Sequence, residues 1–154
     1  TKVPPASYED IFFARSSRSV CLLMSNRGTQ LTDYYVGFFK LDEASRRYVP
    51  YGSHLEKKAI IQDGAEREVT KLRYFNVRAV LEKYVALEEH RGHARPAISL
   101  LKDFSNVGVG YLPNGRFEVH GMVSDHLFSI PFELDESATT VRTGNPTLLP
   151  VALE

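Results

Sequence analysis

Apolar residues along this chain fall in short runs broken by turn formers, and one stretch alone carries the 3.6-residue period of a helix. Val20 to Met24 is a continuous apolar run between Arg18-Ser19 and Ser25-Asn26-Arg27-Gly28, which predicts a buried strand. Tyr34 to Leu41 and Arg47 to Tyr51 flank the polar stretch Asp42 to Arg46 and predict a hairpin. Pro50 confines its second arm to an edge or to the arm's own end. Leu55 to Ile61, closed by Asp63-Gly64, predicts a further strand. Val69 to Phe75 alternates imperfectly, and a helix running on from Ala65 is the competing reading. Near the start, Ser7 and Asp10 have capping spacing and predict a short helix through Ile11-Phe12-Phe13.

The principal helix is predicted over about 76–91. Asn76 is an N-cap residue, and Phe75 and Val80 take the two positions of a hydrophobic staple. Val77, Val80, Leu81, Tyr84 and Val85 form one apolar stripe. Arg78 and Glu82 are spaced to pair on another face. Gly92 supplies a left-handed stop and Pro96 prevents continuation.

The last third is strand-rich. Val107 to Leu112, Arg116 to Val123 and Leu127 to Leu134, with Asn114-Gly115 in the first turn, predict an antiparallel meander. The tail from Asp135 is polar and ends in the apolar Thr147 to Val151. The alternating glycines Gly108 and Gly110 point to a bulge or a close approach. No internal repeat is visible. Short connections favour antiparallel pairing, so the predicted class is α+β. One domain over 1–154 is expected: a mainly antiparallel sheet, the helix packed on it, and a C-terminal β-meander.

Composition changes this picture little. Of 154 residues, 43% are hydrophobic and 25% charged, so disorder is not expected. The 19 basic and 19 acidic residues cancel, which removes the global field a nucleic-acid-coating protein would use. Cys21 is the single cysteine and lies in an apolar run, so it reads as a buried small hydrophobe in a reducing compartment, the cytoplasm. No apolar run approaches the ~20 residues that span a bilayer, so no membrane partner is expected.

Four constellations carry candidate chemistry. Asp42, Glu56 and Lys58 have the order of a Mg²⁺-dependent nuclease site, with carboxylates for the metal and a lysine for the water or phosphate. His90 and His93 with Glu89 are zinc-type ligands, but the stop at Gly92 leaves their geometry loose. His120 and His126 would lie across from one another on adjacent strands, with Asp125 or Glu118 to orient a base. Arg46, Arg47, Tyr48 and Tyr51 interleave charge and aromatic rings as single-strand nucleic-acid binders do. Each pattern also suits a solvated strand face or helix end.

The function expected is therefore a small non-catalytic protein-binding domain of the immunity-protein, inhibitor, chaperone or adaptor kind, with no cofactor and no metal. Its binding residues would be Arg46, Arg47, Tyr48, Tyr51 and His120. Its partner would be another protein or a second copy of the chain, met through the edge strand at Arg47 to Tyr51 or the tail Thr147 to Val151. The alternatives are the Mg²⁺-dependent nuclease at Asp42, Glu56 and Lys58, and the single-strand nucleic-acid binder.

Overall fold

The apolar runs become strands that pair antiparallel throughout. In chain order these are β1 (Ser7–Phe13), β2 (Ser19–Arg27), β3 (Thr32–Asp42), β4 (Arg47–Pro50), β5 (His54–Ala59), β6 (Glu66–Lys71) and β7 (Phe75–Asn76). The helix α1 (Val77–His90) follows, then β8 (Phe104–Leu112), β9 (Arg116–Val123), β10 (His126–Asp135), β11 (Thr140–Thr143) and β12 (Thr147–Pro150). The computed structural model describes residues 7–13, 19–27, 32–52, 54–59, 66–71, 74–92, 101, 103–112, 116–135, 137 and 140–152, with the backbone alone over 7–13, 26–27, 54–59 and 66–71. The N-terminal sheet has the order β1-β2-β3-β4, with β7 beside β4 on the other half of β3. The C-terminal sheet has the order β8-β9-β10-β11, with β12 likewise sharing the edge of β10. β5 and β6 make a two-stranded sheet of their own.

The two larger sheets pack face to face. Phe38 on β3 meets Phe117 on β9 and Phe132 on β10, with ring centroids 5.7 and 5.1 Å apart. Cys21, Leu23, Val36, Val119, Val123, Phe128 and Ile130 complete the layer between them. Val77, Leu81 and Val85 of α1 are fully buried in the same cluster, and Val80 and Tyr84 pack against it. The predicted α+β class, the helix on the sheet and the C-terminal meander therefore all hold.

Local signals set the helix ends. The side chain of Asn76 accepts from the amide of Ala79 at 3.1 Å, satisfying one of the orphan donors of the first turn. Gly92 stops the helix at φ 79°, where a side chain would be strained. Arg78 does not pair with Glu82. It reaches back to β3, donating to Asp33 at 2.7 Å, to the Thr32 carbonyl at 3.2 Å and to the Leu101 carbonyl, while its guanidinium lies 5.0 Å from the ring centre of Phe104.

Two expectations about secondary structure are corrected. Ser7–Phe13 is a strand and not a capped helix, because pairing with β2 from Ser7↔Ser25 to Phe13↔Val20 outweighs a weak cap, and Ile11-Phe12-Phe13 suits a pleated surface. No helix runs on from Ala65, because Glu66–Lys71 pairs with β5 and helical backbone begins only after the Asn76 cap. The turn residues Asn114-Gly115 and the stretch Ile60 to Gly64 lie outside the described residues.

A repeat does exist, in strand register. Phe39-Lys40-Leu41-Asp42-Glu43 and Phe132-Glu133-Leu134-Asp135-Glu136 each end a third strand and enter a hairpin. The rungs match one for one, from Phe39↔Pro50 to Asp42↔Arg47 and from Phe132↔Thr143 to Asp135↔Thr140. In both turns a serine hydroxyl bonds the closing aspartate, Ser45 to Asp42 at 2.7 Å and Ser137 to Asp135 at 2.6 Å. Carried to the second strands, the match sets Val20 with Phe117 and Leu23 with His120. The first strands then bulge at the same rung, opposite Met24 and Gly121. One meander is built twice, and β5 and β6 are inserted into the first copy.

Equivalent faces have different fates. The face of the N-terminal sheet bearing Cys21, Leu23, Val36 and Phe38 packs on the C-terminal sheet. Its opposite face, with Val20, Met24 and Tyr35, is also buried, and Tyr74 lies over Gly37 so closely that a Cβ there would come within 2.8 Å of the ring. The C-terminal sheet buries the face bearing Phe117, Val119, Phe128, Ile130 and Phe132, and leaves its other face open.

Candidate functional site

The open face of the C-terminal sheet is built by strand alternation. On β9 the outward residues are Glu118, His120 and Met122, and on β10 they are Leu127, Ser129, Pro131 and Glu133. Register aligns Met122, Leu127 and Leu149 on one rung, and His120, Ser129 and Thr147 on the next but one. Leu127 is 53% exposed and Leu149 58%, so the first rung is an apolar patch facing solvent. Around both rungs lies a shallow depression of about 540 Å³. At the far end, Glu133 sits between Arg116 and Arg142 on neighbouring strands and pairs with both. The face thus has an apolar end, a short polar middle and a charged end.

His120 lies on this face, as the sequence placed it among the binding residues. Its ring extends over Gly108, where a Cβ would stand 3.3 Å from the imidazole. The predicted bulge is present between Ser105 and Gly108, with Asn106 at φ 53°. His126 does not face His120. It pairs with Val123 and points to the other side of the sheet, with its Nδ1 2.9 Å from Asp125 Oδ1. Asp125 therefore orients a histidine, as proposed from sequence, but that histidine is not beside a second one.

The basic-aromatic stretch divides. Arg46, Arg47 and Tyr48 are exposed, Arg46 in the turn at φ 58° and Tyr48 at 50%. Tyr51 is 1% exposed, and its hydroxyl lies 3.1 Å from that of Ser19. Its ring belongs to the core and offers no stacking platform, so one of the two predicted aromatics is removed from that role. Asp42 ends β3 and accepts from Ser45. Glu56 and Lys58 lie on β5, in a different sheet from Asp42, and their side chains lie outside the described ones. His90 is exposed at the helix end and His93 falls outside the described residues. Among the described residues, no group of three or more His, Cys, Asp or Glu is placed to hold a metal.

Both edges expected to accept a strand are blunted. Tyr51 N donates to Phe38 O at 2.9 Å, which turns Arg47 and Val49 toward β3 and leaves Tyr48 and Pro50 facing outward. Val151 N donates to Asp125 O at 2.9 Å, which turns Thr147 and Leu149 toward β10 and leaves Leu148 and Pro150 facing outward. Proline has no amide hydrogen, so each of these short edges presents one outward N–H. Strand addition therefore gains little at either edge. No helix among the described residues is long and apolar enough to cross a membrane. Comparison with protein-family models, with curated proteins and with solved structures returns no match to this chain.

Proposed function

We propose that this chain is a small non-catalytic protein-binding domain whose contact surface is the open face of the C-terminal sheet. The observation that carries this reading is the rung Met122–Leu127–Leu149, an apolar patch with two leucines more than half exposed. Apolar anchors beside a hydrogen-bonding middle and a charged rim are the usual layout of a protein interface. His120, with Ser129 and Thr147, supplies the polar contacts beside the anchors. The candidate acid–base pair does not assemble: His120 and His126 lie on opposite faces of their sheet. The lone buried Cys21 fits a reducing compartment, and on that ground we place the protein in the cytoplasm.

The test is capture from the native host with wild type and with a Leu127→Glu/Leu149→Glu variant. Wild type should retain one protein at stoichiometric amount and the variant should lose it while keeping its circular dichroism spectrum. Equal capture by both overturns the reading. So does Mg²⁺-dependent cleavage of DNA or RNA that disappears with Glu56→Ala.

A further inference from the structure

The duplicated meander says what kind of surface fits the open face. The outward residues Glu118, His120, Met122, Leu127 and Ser129 are the register equivalents of Cys21, Leu23, Ser25, Tyr34 and Val36. In the first copy of the meander, that face is the one that packs on a second sheet: Tyr34 meets Phe104 at 6.2 Å, and Leu23 and Val36 are buried against the C-terminal core. The interface between the two sheets, continued by one step, therefore ends on a bare surface with the bulge and pleat of a sheet-packing face.

We infer that this face docks on a second copy of the chain, C-terminal sheet against C-terminal sheet across a two-fold axis. This rests on the reading of the face as a protein-contact surface. A head-to-tail continuation would need the Val20, Met24 and Tyr35 face of the next copy, and that face is already buried with Tyr74 over Gly37. Among the described faces of the two larger sheets, the like face is the bare one, so association closes as a dimer instead of growing into a filament. A two-fold axis over the Met122–Leu127–Leu149 rung sets these side chains against their own mates. Four strands at ~4.8 Å spacing and about eight residues of length give a face of roughly 500 Å² per copy. The total of about 1,000 Å² is at the lower limit for a specific interface and predicts a dimer with micromolar affinity.

Sedimentation equilibrium on the full chain, over a wide range of concentration, reads this directly. Wild type should interconvert between monomer and dimer. Leu127→Glu should weaken association ~100-fold or more by placing a charge in the dry centre. Thr147→Arg, on the same exposed face, keeps the test valid if the glutamate variant does not fold. Leu149→Cys should form an intermolecular disulfide on oxidation, since Cys21 is buried. A wild type that stays monomeric, a dimer indifferent to Leu127→Glu and Thr147→Arg, or oligomers that keep growing would each overturn the inference. A monomer that still captures a host protein through Leu127 sinks the self-association alone. Loss of both dependences sinks the contact-surface reading as well.

Discussion

Phe38 and Phe132 bridge the two sheets, their ring centroids 5.1 Å apart and both rings fully or almost fully buried. They occupy faces that are not equivalent in the duplicated meander: Phe132 corresponds to Phe39, which points away from the core, and Phe38 corresponds to Pro131 on the open face. The two sheets are therefore stacked in the same sense, and this contact lies at the centre of the stack. Replacing Phe132 with alanine removes ring contacts to Phe38 and to Phe75 at 5.1 Å and leaves a cavity. Urea unfolding should show a loss of about 3–5 kcal/mol. Phe39→Ala, at a partly buried position, should cost clearly less.

Arg78 ties the helix start to the first sheet. Its side chain is 11% exposed and satisfies the Asp33 carboxylate and the carbonyls of Thr32 and Leu101. Arg78→Ala leaves a partly buried carboxylate and two carbonyls short of a donor. The expected cost is about 2–4 kcal/mol in chemical denaturation. Arg78→Lys should recover little of it, because an ammonium cannot reproduce a planar fork that serves three acceptors and stacks on Phe104.

Burial alone pushes the Cys21 thiol far above its ordinary range. The folded state holds this proton to a pH at which the unfolded chain, with an ordinary thiol near pKa ~8.5, has released it. Below that pH the group has no effect on stability. Above it, the unfolded state is favoured by about 1.4 kcal/mol per pH unit from this residue. Comparing wild type with Cys21→Ala between neutral and strongly alkaline pH should isolate that slope. A thiol reagent should label the native protein only at the rate of unfolding.

The helix, expected over about 76–91 and found at Val77–His90, was legible to within a residue at each end. Asn76, the apolar stripe and Gly92 act within one stretch of chain, and nothing distant contradicts them. The β3–β4 hairpin and the meander were legible for the same reason. β1 was not, because Ser7 and Asp10 imitate a cap while the deciding interaction is pairing with β2. Arg78 was misassigned to Glu82 because sequence spacing shows neighbours on the helix and not acceptors on β3. The repeat was hidden by its own asymmetry: one copy of the face is buried and the other open, so Leu23 corresponds to His120 and Cys21 to Glu118. His120 was named from sequence as a binding residue, and it lies on the open face. Leu127 and Leu149 were read only as strand and tail residues, since exposure on a sheet face follows from which sheet covers which.

Tyr48 and Tyr51 separate surface from core within one short stretch. Both looked like rings available for stacking. Tyr48 is half exposed on the outward side of β4, whereas Tyr51 is buried with its hydroxyl beside Ser19. Tyr48→Ala should change stability by no more than about 0.5 kcal/mol, as surface substitutions away from special features do. Tyr51→Ala should cost about 3–5 kcal/mol, the range for deleting a buried aromatic. Tyr51→Phe should cost about 1 kcal/mol, because it keeps the ring and removes the Ser19 contact. If single-stranded nucleic acid is retained at low salt, Tyr48→Ala together with Arg46→Ala and Arg47→Ala should abolish it, and Tyr51→Phe should leave it intact. Equal sensitivity to Tyr48→Ala and Tyr51→Phe would contradict the placement of Tyr51 in the core.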